Sequence, residues 1–261
     1  MALSKLSGDE QCIIFSQLCN VLDARIAVAF GSVSSELHAL TQALLQQLRA
    51  DHEVAAALCR KMGMRSCKEL REETNIIWTS TCLSAAEWAL LGTLGSVLPA
   101  LERLTLFGPA DAAGPDGVQR LFERLGAGAL PALTSFTAFG HLGDAGASAL
   151  AAALGRGALP RLKGLALNNT AIGDAGLVTL APALRQRPAL ERFSLIGNPL
   201  GDEGLAALVA PPPQADAPSH STGVLTKLRE LDLRNTQITD AGCSTLASAL
   251  DSLRSWRDHC C

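Results

Sequence analysis

Residues 162–184 read LKGLALNNTAIGDAGLVTLAPAL. The leucines of this stretch first have the spacing of a short strand and then recur at the spacing of a helix. The two groups are Leu162, Leu165 and Leu167, followed by Leu177, Leu180 and Leu184. With Ile172 at the turn between them, the stretch predicts one strand, one turn and one helix.

The same frame returns along the chain. It starts again at Leu190, 28 residues after Leu162, and once more at Leu228. Less regular copies start at Leu101 and Leu133. A period of roughly 20 to 29 residues is typical of leucine-rich repeats, whose apolar faces are buried only by stacking on a neighbour. We therefore predict a solenoid with about six parallel strands inside and helices outside.

The repeat frame, Leu-x-x-Leu-x-Leu-x-x-Asn/Thr-x-Ile/Leu-Gly/Thr-Asp, most resembles the ribonuclease-inhibitor-like class of leucine-rich repeats. This resemblance covers about three fifths of the chain and implies an α/β fold. We assign residues 67–261 to the repeat domain, with a degenerate first coil at 67–97. A loop insertion is predicted at 210–223, because prolines and small polar residues there lengthen the period to 38 residues between Leu190 and Leu228.

Polar residues also recur with the repeats. One aspartate per repeat stands two residues before a glycine, at the start of the predicted helix: Asp144, Asp174, Asp202 and Asp240. A carboxylate there can accept backbone N–H bonds, so we predict that each aspartate caps its own helix. Asn198 is expected to hydrogen-bond buried loop backbone, and Thr170 and Thr236 hold the same place in other repeats.

Alternation along the predicted strands assigns the side chains that face away from the leucines. The following residues on that side are predicted to bind a protein ligand: Arg103, Phe107, Phe139, Lys163, Asn168, Arg192, Ile196, Arg229, Asp232 and Arg234. Phe107, Phe139 and Ile196 share a register, so two aromatic rings would stand side by side as a binding anchor. In the alternative arrangement these side chains fold back under the adjoining loops.

Residues 1–66 do not follow the repeat. Short apolar bursts at their start predict two or three small helices. A longer helical pattern runs from Ser34 to Met62, with a possible break near Asp51. The residues expected on its apolar face are Leu37, Leu40, Leu44 and Leu48. This part is therefore predicted to pack helix on helix.

The order LSGDEQCIIFSQLCNVLDARIAVAFGSVSSELHAL, which begins at Leu6, resembles an F-box. The family commonly has a proline where this chain has Ser7, and a tryptophan where it has Leu37. The resemblance implies docking onto a Skp-type adaptor of a cullin ubiquitin ligase. The positions that match the docking motif are Leu6, Ile14, Phe15, Leu18, Leu22 and Val33.

Two functions remain open for a chain built in this way. With an F-box, it would be a substrate-recognition adaptor of a Skp-cullin-F-box-type ubiquitin ligase. In the alternative, the N-terminal helices only cap the apolar end of the first coil. The chain would then be a non-catalytic leucine-rich-repeat scaffold or sensor with no link to a ligase.

Composition narrows the range of partners. The 261 residues carry a formal net charge of -3, which argues against a dedicated nucleic-acid or membrane-surface partner. No apolar stretch is long enough for a signal peptide or a spanning helix, so a cytoplasmic or nuclear location is expected. The eight cysteines form no CxxC pair, which favours reduced thiols. We expect a monomer outside its complex.

Catalytic motifs are missing from the sequence. It has no P-loop, no His-Glu-x-x-His and no Gly-x-Ser-x-Gly, and its histidines pair with no nucleophile at a motif spacing. We therefore predict no enzyme activity, no metal site and no cofactor. The terminal Cys260 and Cys261 resemble the doubly prenylated ending of some Rab-type GTPases, but no GTPase domain is present to offer that tail, so unmodified thiols are expected.

Overall fold

The structure is a computed structural model. It describes residues 7, 10–11, 14–15, 18–61, 63–79, 85–95, 98–107, 116–187, 189–209 and 228–251. Its contacts divide the chain into two compact units, Met1–Glu73 and Thr74–Cys261. The predicted loop insertion at 210–223, Leu6 and the terminal cysteine pair lie outside the described residues.

The first unit contains three described helices. They are α1 (Arg25–Gly31), α2 (Ser35–Lys61) and α3 (Cys67–Glu72). Helix α2 runs without interruption, so the predicted break near Asp51 is wrong. The Gln47 amide donates to the Asp51 carboxylate over 2.8 Å across one turn, which supports the helix at this point.

The buried face of α2 differs from the predicted one. Leu40 and Leu44 are 46% and 40% exposed, whereas Thr41 and Leu45 are buried. A threonine is tolerated there because its hydroxyl donates to the Leu37 carbonyl over 2.7 Å. The apolar pattern alone could not predict burial of Thr41, because a leucine is more apolar than a threonine and is therefore assigned to the buried face first.

The core of the first unit gathers Phe15, Ala27, Leu45 and Leu48. Ser7, which stands where an F-box commonly has a proline, forms a reciprocal cap with Glu10. The Ser7 amide donates to the Glu10 carboxylate over 2.8 Å. In return, the Glu10 amide donates to the Ser7 hydroxyl over 3.3 Å. This pairing satisfies two amides that the first turn of a helix leaves free.

Helix α3 belongs to the first unit, which places the division seven residues beyond the predicted boundary at 66. The Ser66 hydroxyl caps it by accepting from the Glu69 amide over 3.3 Å. Cys67 and Leu70 are buried, and the two thiol sulfurs of Cys59 and Cys67 lie 3.9 Å apart. These apolar contacts explain why α3 packs with α2 and does not open the repeats.

The second unit alternates strands and helices. The strands are β1 (Asn75–Thr79), β2 (Arg103–Phe107), β3 (Ser135–Phe139), β4 (Gly164–Asn168), β5 (Arg192–Ser194) and β6 (Glu230–Asp232). The helices are α4 (Ala85–Leu94), α5 (Asp116–Arg124), α6 (Gly143–Gly155), α7 (Asp174–Arg185), α8 (Asp202–Val209) and α9 (Asp240–Asp251). All six strands pair in parallel, in the order of the sequence. The predicted sheet is confirmed.

A row of apolar side chains crosses the sheet at one register. Leu104, Phe136, Leu165 and Phe193 are paired strand to strand, and none is more than 2% exposed. Neighbouring helices pack on one another in the order of the strands. Each such side chain contributes about 1.5–3 kcal/mol when it is fully buried, but only if the next repeat is present to cover it.

Candidate functional site

Three of the four aspartates at the starts of repeat helices, Asp144, Asp174 and Asp202, accept hydrogen bonds from the following repeat. Asp144 Oδ1 accepts from the Gly173 amide over 2.7 Å. Asp174 Oδ1 accepts from the amides of Gly201 and Gly204 over 2.7 and 2.9 Å. The prediction that each aspartate caps its own helix is therefore wrong, because stacking brings the carboxylate over the next helix start. These bonds hold neighbouring repeats in one fixed offset.

A glycine makes room for each of these carboxylates. A Cβ added at Gly176 would contact Asp144 Oδ1, and one added at Gly204 would lie 2.7 Å from Asp174 Oδ1. No real Cβ atom approaches an oxygen so closely. The Asp-x-Gly pattern seen in the sequence thus records contact between two repeats.

Asn198 is buried and uses both ends of its amide. Its oxygen accepts from the amides of Thr170 and Ile172 over 3.1 and 3.0 Å. Its nitrogen donates to the carbonyls of Leu167 and Leu195 over 2.6 and 2.8 Å. The predicted bonding to buried loop backbone is confirmed, and it also ties two repeats together.

At the ends of the helices, arginine side chains hydrogen-bond to backbone carbonyls of the preceding repeat. Arg156 Nη2 donates to the carbonyls of Phe122 and Leu125, at 2.9 and 3.1 Å. Arg187 donates in the same way to Leu154 of the preceding helix, and burial lowers the pKa of this arginine. The sequence analysis missed this set, because nothing local distinguishes these arginines from solvated ones. Neighbouring repeats are therefore hydrogen-bonded to each other at both the start and the end of their helices.

We call the side of the sheet that turns away from the leucines the open face. Its first register holds Asn75, Arg103, Ser135, Gly164, Arg192 and Glu230. Its second register holds Ile77, Thr105, Thr137, Ala166, Ser194 and Asp232. Its third register includes Phe107, Phe139 and Asn168. Over β2–β5 the open face thus has one edge with two arginines, a middle of small residues and one edge with two phenylalanines, with Ile77 on β1 and Asp232 on β6 at the two ends of the middle register.

The two phenylalanines stack on each other. The ring centroids of Phe107 and Phe139 lie 4.8 Å apart with an angle of 8° between the ring planes, and Phe107 is 38% exposed. Ile77 stands on the same face of the neighbouring strand and is 61% exposed. Sequence analysis missed Ile77, although burial of Ile76 and Trp78 on either side follows from simple alternation. Ile196, just beyond β5, is half-buried.

At the edge with the two arginines, Gly164 leaves room for the side chain of Arg192. Arg103 and Arg192 are exposed on β2 and β5. A Cβ at Gly164 would lie 3.2 Å from Arg192 Nη2, so the guanidinium of Arg192 on β5 extends over the glycine of the neighbouring strand β4. In the third register, Asn168 accepts a hydrogen bond from the Ser194 hydroxyl over 2.8 Å.

The remaining predicted ligand residues lie toward β6. Arg234 Nη2 is 2.6 Å from the Asp232 carboxylate, and this hydrogen-bonded arginine lowers the pKa of Asp232. Lys163 and Arg229 are exposed just before β4 and β6. Six of the ten predicted residues lie on strands, and Lys163, Ile196, Arg229 and Arg234 lie just outside them. Asp232 and Arg234 are already paired to each other.

The residues that match the F-box docking motif occupy different environments. Phe15 and Leu22 are buried in the first unit, so we assign them to its packing. Ile14 and Leu18 are half-buried, and Val33 is 65% exposed. The five described positions therefore do not form one exposed surface.

Within the described ranges, no three histidine, cysteine, aspartate or glutamate side chains cluster as a metal would require. None of the described helices is both long enough and apolar enough to span a bilayer.

Comparison with known proteins agrees with this fold. Residues 189–209 and 224–247 match the family model for a Leucine Rich repeat. A ribonuclease inhibitor of Sus scrofa is 33% identical over 98 residues, which is 38% of this chain and 20% of that protein. The chain thus spans about a fifth of the length of the curated relative it matches. Together with the parallel sheet, these matches support a leucine-rich-repeat protein and fit an α/β solenoid.

Two solved structures are more distantly similar. The actin-binding site 2 of leiomodin-1 has a TM-score of 0.41 and 12% identity, over 71% of this chain and 86% of that chain. An internalin from Listeria monocytogenes has a TM-score of 0.23 and 18% identity, over 65% of this chain and 57% of that chain. Both TM-scores are too low to indicate a partner.

Proposed function

We propose that this protein is a non-catalytic binding module that holds a protein ligand on the open face of its sheet. The observation that carries the proposal is the apolar group of the exposed Ile77 and Phe107 on neighbouring strands, with the half-buried Phe139 stacked on Phe107. Large apolar side chains that stay exposed on a rigid surface commonly mark protein interfaces. Six strands give a surface about 24 Å wide, which accommodates a peptide or a helix.

Affinity capture from cells with matched variants tests this proposal. Phe107→Ser changes the open face, whereas Val178→Ser changes an apolar residue of similar exposure on α7. Proteins captured by the wild type should be retained by Val178→Ser and lost with Phe107→Ser. If Phe107→Ser retains every captured protein, the open face is not the binding surface.

A ribonuclease is the first defined ligand to try. The support is the match to a protein whose name states that it inhibits ribonuclease. Titration of a pancreatic-type ribonuclease against the purified chain should slow hydrolysis of an RNA substrate if the two proteins share this ligand. Unchanged hydrolysis would remove ribonuclease as a ligand and leave the open face available to other proteins.

We further propose that the first unit recruits a Skp-type adaptor, which would make the chain the substrate-recognition part of a ubiquitin ligase. Support comes from the F-box-like order that begins at Leu6 and from the exposure of Val33, one of its matching positions. Val33→Asp should then abolish copurification of the adaptor. Val54→Asp, at a residue that is 53% exposed on α2, should not.

The scaffold hypothesis makes the opposite prediction in the same experiment. Capture of a stable ligand without any Skp or cullin subunit would favour a scaffold or sensor. Capture of the adaptor by both Val33→Asp and Val54→Asp would remove Val33 from the docking surface.

A further inference from the structure

We infer that the ligand of the open face is an acidic segment carrying an aromatic or large aliphatic side chain. This inference rests on the proposed function and specifies the partner that the same surface would accept. It follows from three features of the face, which are its charge, its apolar group and the distance between the two.

Over β1–β5 the charged residues of the open face are all positive. Among the residues of β1–β5, only Arg103 and Arg192 are charged, and no carboxylate is present. The whole chain has a formal net charge of -3, so this positive region opposes the average. Glu102 and Glu191 precede these strands, yet within the described ranges no ion pair joins either arginine to a carboxylate.

Gly164 lets the Arg192 side chain extend toward the strands that separate it from Arg103. The strands of the two arginines are three intervals apart, about 14 Å at the usual strand spacing. Because Arg192 extends over Gly164, its guanidinium lies closer to β3 and to the Ser135 side chain than its own strand would allow. Guanidinium groups bind carboxylates through two parallel hydrogen bonds, so this region fits acidic side chains.

The apolar group stands at the other edge of the same strands. Arg103 and Phe107 are the two ends of β2, about 13 Å apart along an extended strand. Between them lie the small side chains of Thr105, Thr137 and Ala166, which leave room for a peptide backbone. An occupant that reaches both edges would place its acid and its apolar side chain about four residues apart if extended, or about nine if helical.

The end of the sheet at β6 limits where such a segment can lie. Glu230 and Asp232 are acidic, and Arg234 is already engaged with Asp232. An acidic segment would be repelled from Glu230. It is therefore expected to lie across β1–β5, over the arginines and the phenylalanines.

A peptide selection tests this inference directly. The full chain is immobilised and presented with a displayed library of random peptides of about 16 residues, long enough to bridge the roughly 13 Å between the two edges in either conformation. Enriched peptides should combine Asp or Glu with Phe, Trp, Leu or Ile at the stated separations. Their affinity should fall about tenfold or more for the double variant Arg103→Glu/Arg192→Glu. Arg120→Glu, on the exposed side of α5, is the matched control and should bind as the wild type does.

The outcomes separate this inference from the proposed function. Enrichment of basic or uncharged peptides, no enrichment at all, or equal binding by the double variant and Arg120→Glu would overturn the inference. The proposed function would still stand if Phe107→Ser lost captured proteins. Circular dichroism and thermal unfolding verify that each variant is folded, and single Arg103→Gln replaces the double variant if the latter is not.

Discussion

The absence of a Cβ atom at a glycine allows two neighbouring repeats to approach each other closely. Gly204 occupies the place where any side chain would meet Asp174 of the preceding repeat. The same relation recurs at Gly176 with Asp144. Such glycines are required for close approach between repeats, because the carboxylate must reach the amides at the start of the next helix.

Gly204→Ala is expected to destabilise the second unit by about 1–3 kcal/mol, since the new Cβ displaces Asp174 and breaks its two hydrogen bonds. Gly155→Ala is the control, because no atom lies within 4 Å of a Cβ placed there at the end of α6. That variant should be as stable as the wild type or slightly more so. Urea unfolding of both proteins measures the difference, and equal midpoints would contradict the assigned contact.

The cysteines offer a second test at the same scale. Burial, reinforced by the neighbouring Cys67, raises the pKa of Cys59 to about 12, and burial also raises the pKa of Cys19. Because a thiolate is the reactive form, iodoacetamide near pH 8 should modify the exposed Cys243 before it modifies Cys19, Cys59 and Cys67. Cys59 should react only when the first unit unfolds. Mass spectrometry of a time course measures this order, and early alkylation of Cys59 would show that its site is open.

At the scale of one element, α2 shows where a periodic pattern is ambiguous. Leucines at 40 and 44 and leucines at 37 and 48 are all compatible with one broad apolar face. The core around Phe15 selects the side that includes Thr41 and Leu45. Local sequence cannot settle this choice, because it depends on which helix packs where.

Leu45→Ala should therefore cost about 2–5 kcal/mol through the cavity it leaves in the core of the first unit. Leu44→Ala, one residue away and 40% exposed, should cost less than about 1 kcal/mol. Hydrogen exchange of the α2 amides compares the two variants with the wild type. Equal loss of protection in both would return Leu44 to the buried face.

For the whole molecule, the features that could be predicted from the sequence are those that recur with the repeat period. The frame that begins at Leu162, Leu190 and Leu228 was enough to predict a parallel sheet with its helices. It could not predict that Asp174 bonds to the following repeat, because that depends on the offset between stacked coils. Nor did it include Ile77, since the first coil departs from the frame that assigned the other face residues.

A stack of repeats is held together by contacts between neighbours, so a repeat whose core is less covered should open more readily. Leu231 and Leu233 in the repeat of β6 are half-buried, whereas Leu165 and Leu167 at the same places in β4 are buried. The stability of the β6 repeat should therefore respond visibly to loss of a single junction contact.

Asp202 provides that contact. Its carboxylate accepts from the Thr239 hydroxyl and amide at 2.5 and 2.8 Å, and these bonds lower its pKa below the ordinary value. A lowered pKa in the folded state stabilises the fold above the ordinary aspartate pKa, near 3.9, and this contribution disappears as the pH falls through the lowered value. The protection of the α9 amides, relative to their intrinsic exchange rates at each pH, should fall over that range. Asp202→Asn should flatten this dependence, whereas Asp240→Asn, at the exposed start of α9, should retain it.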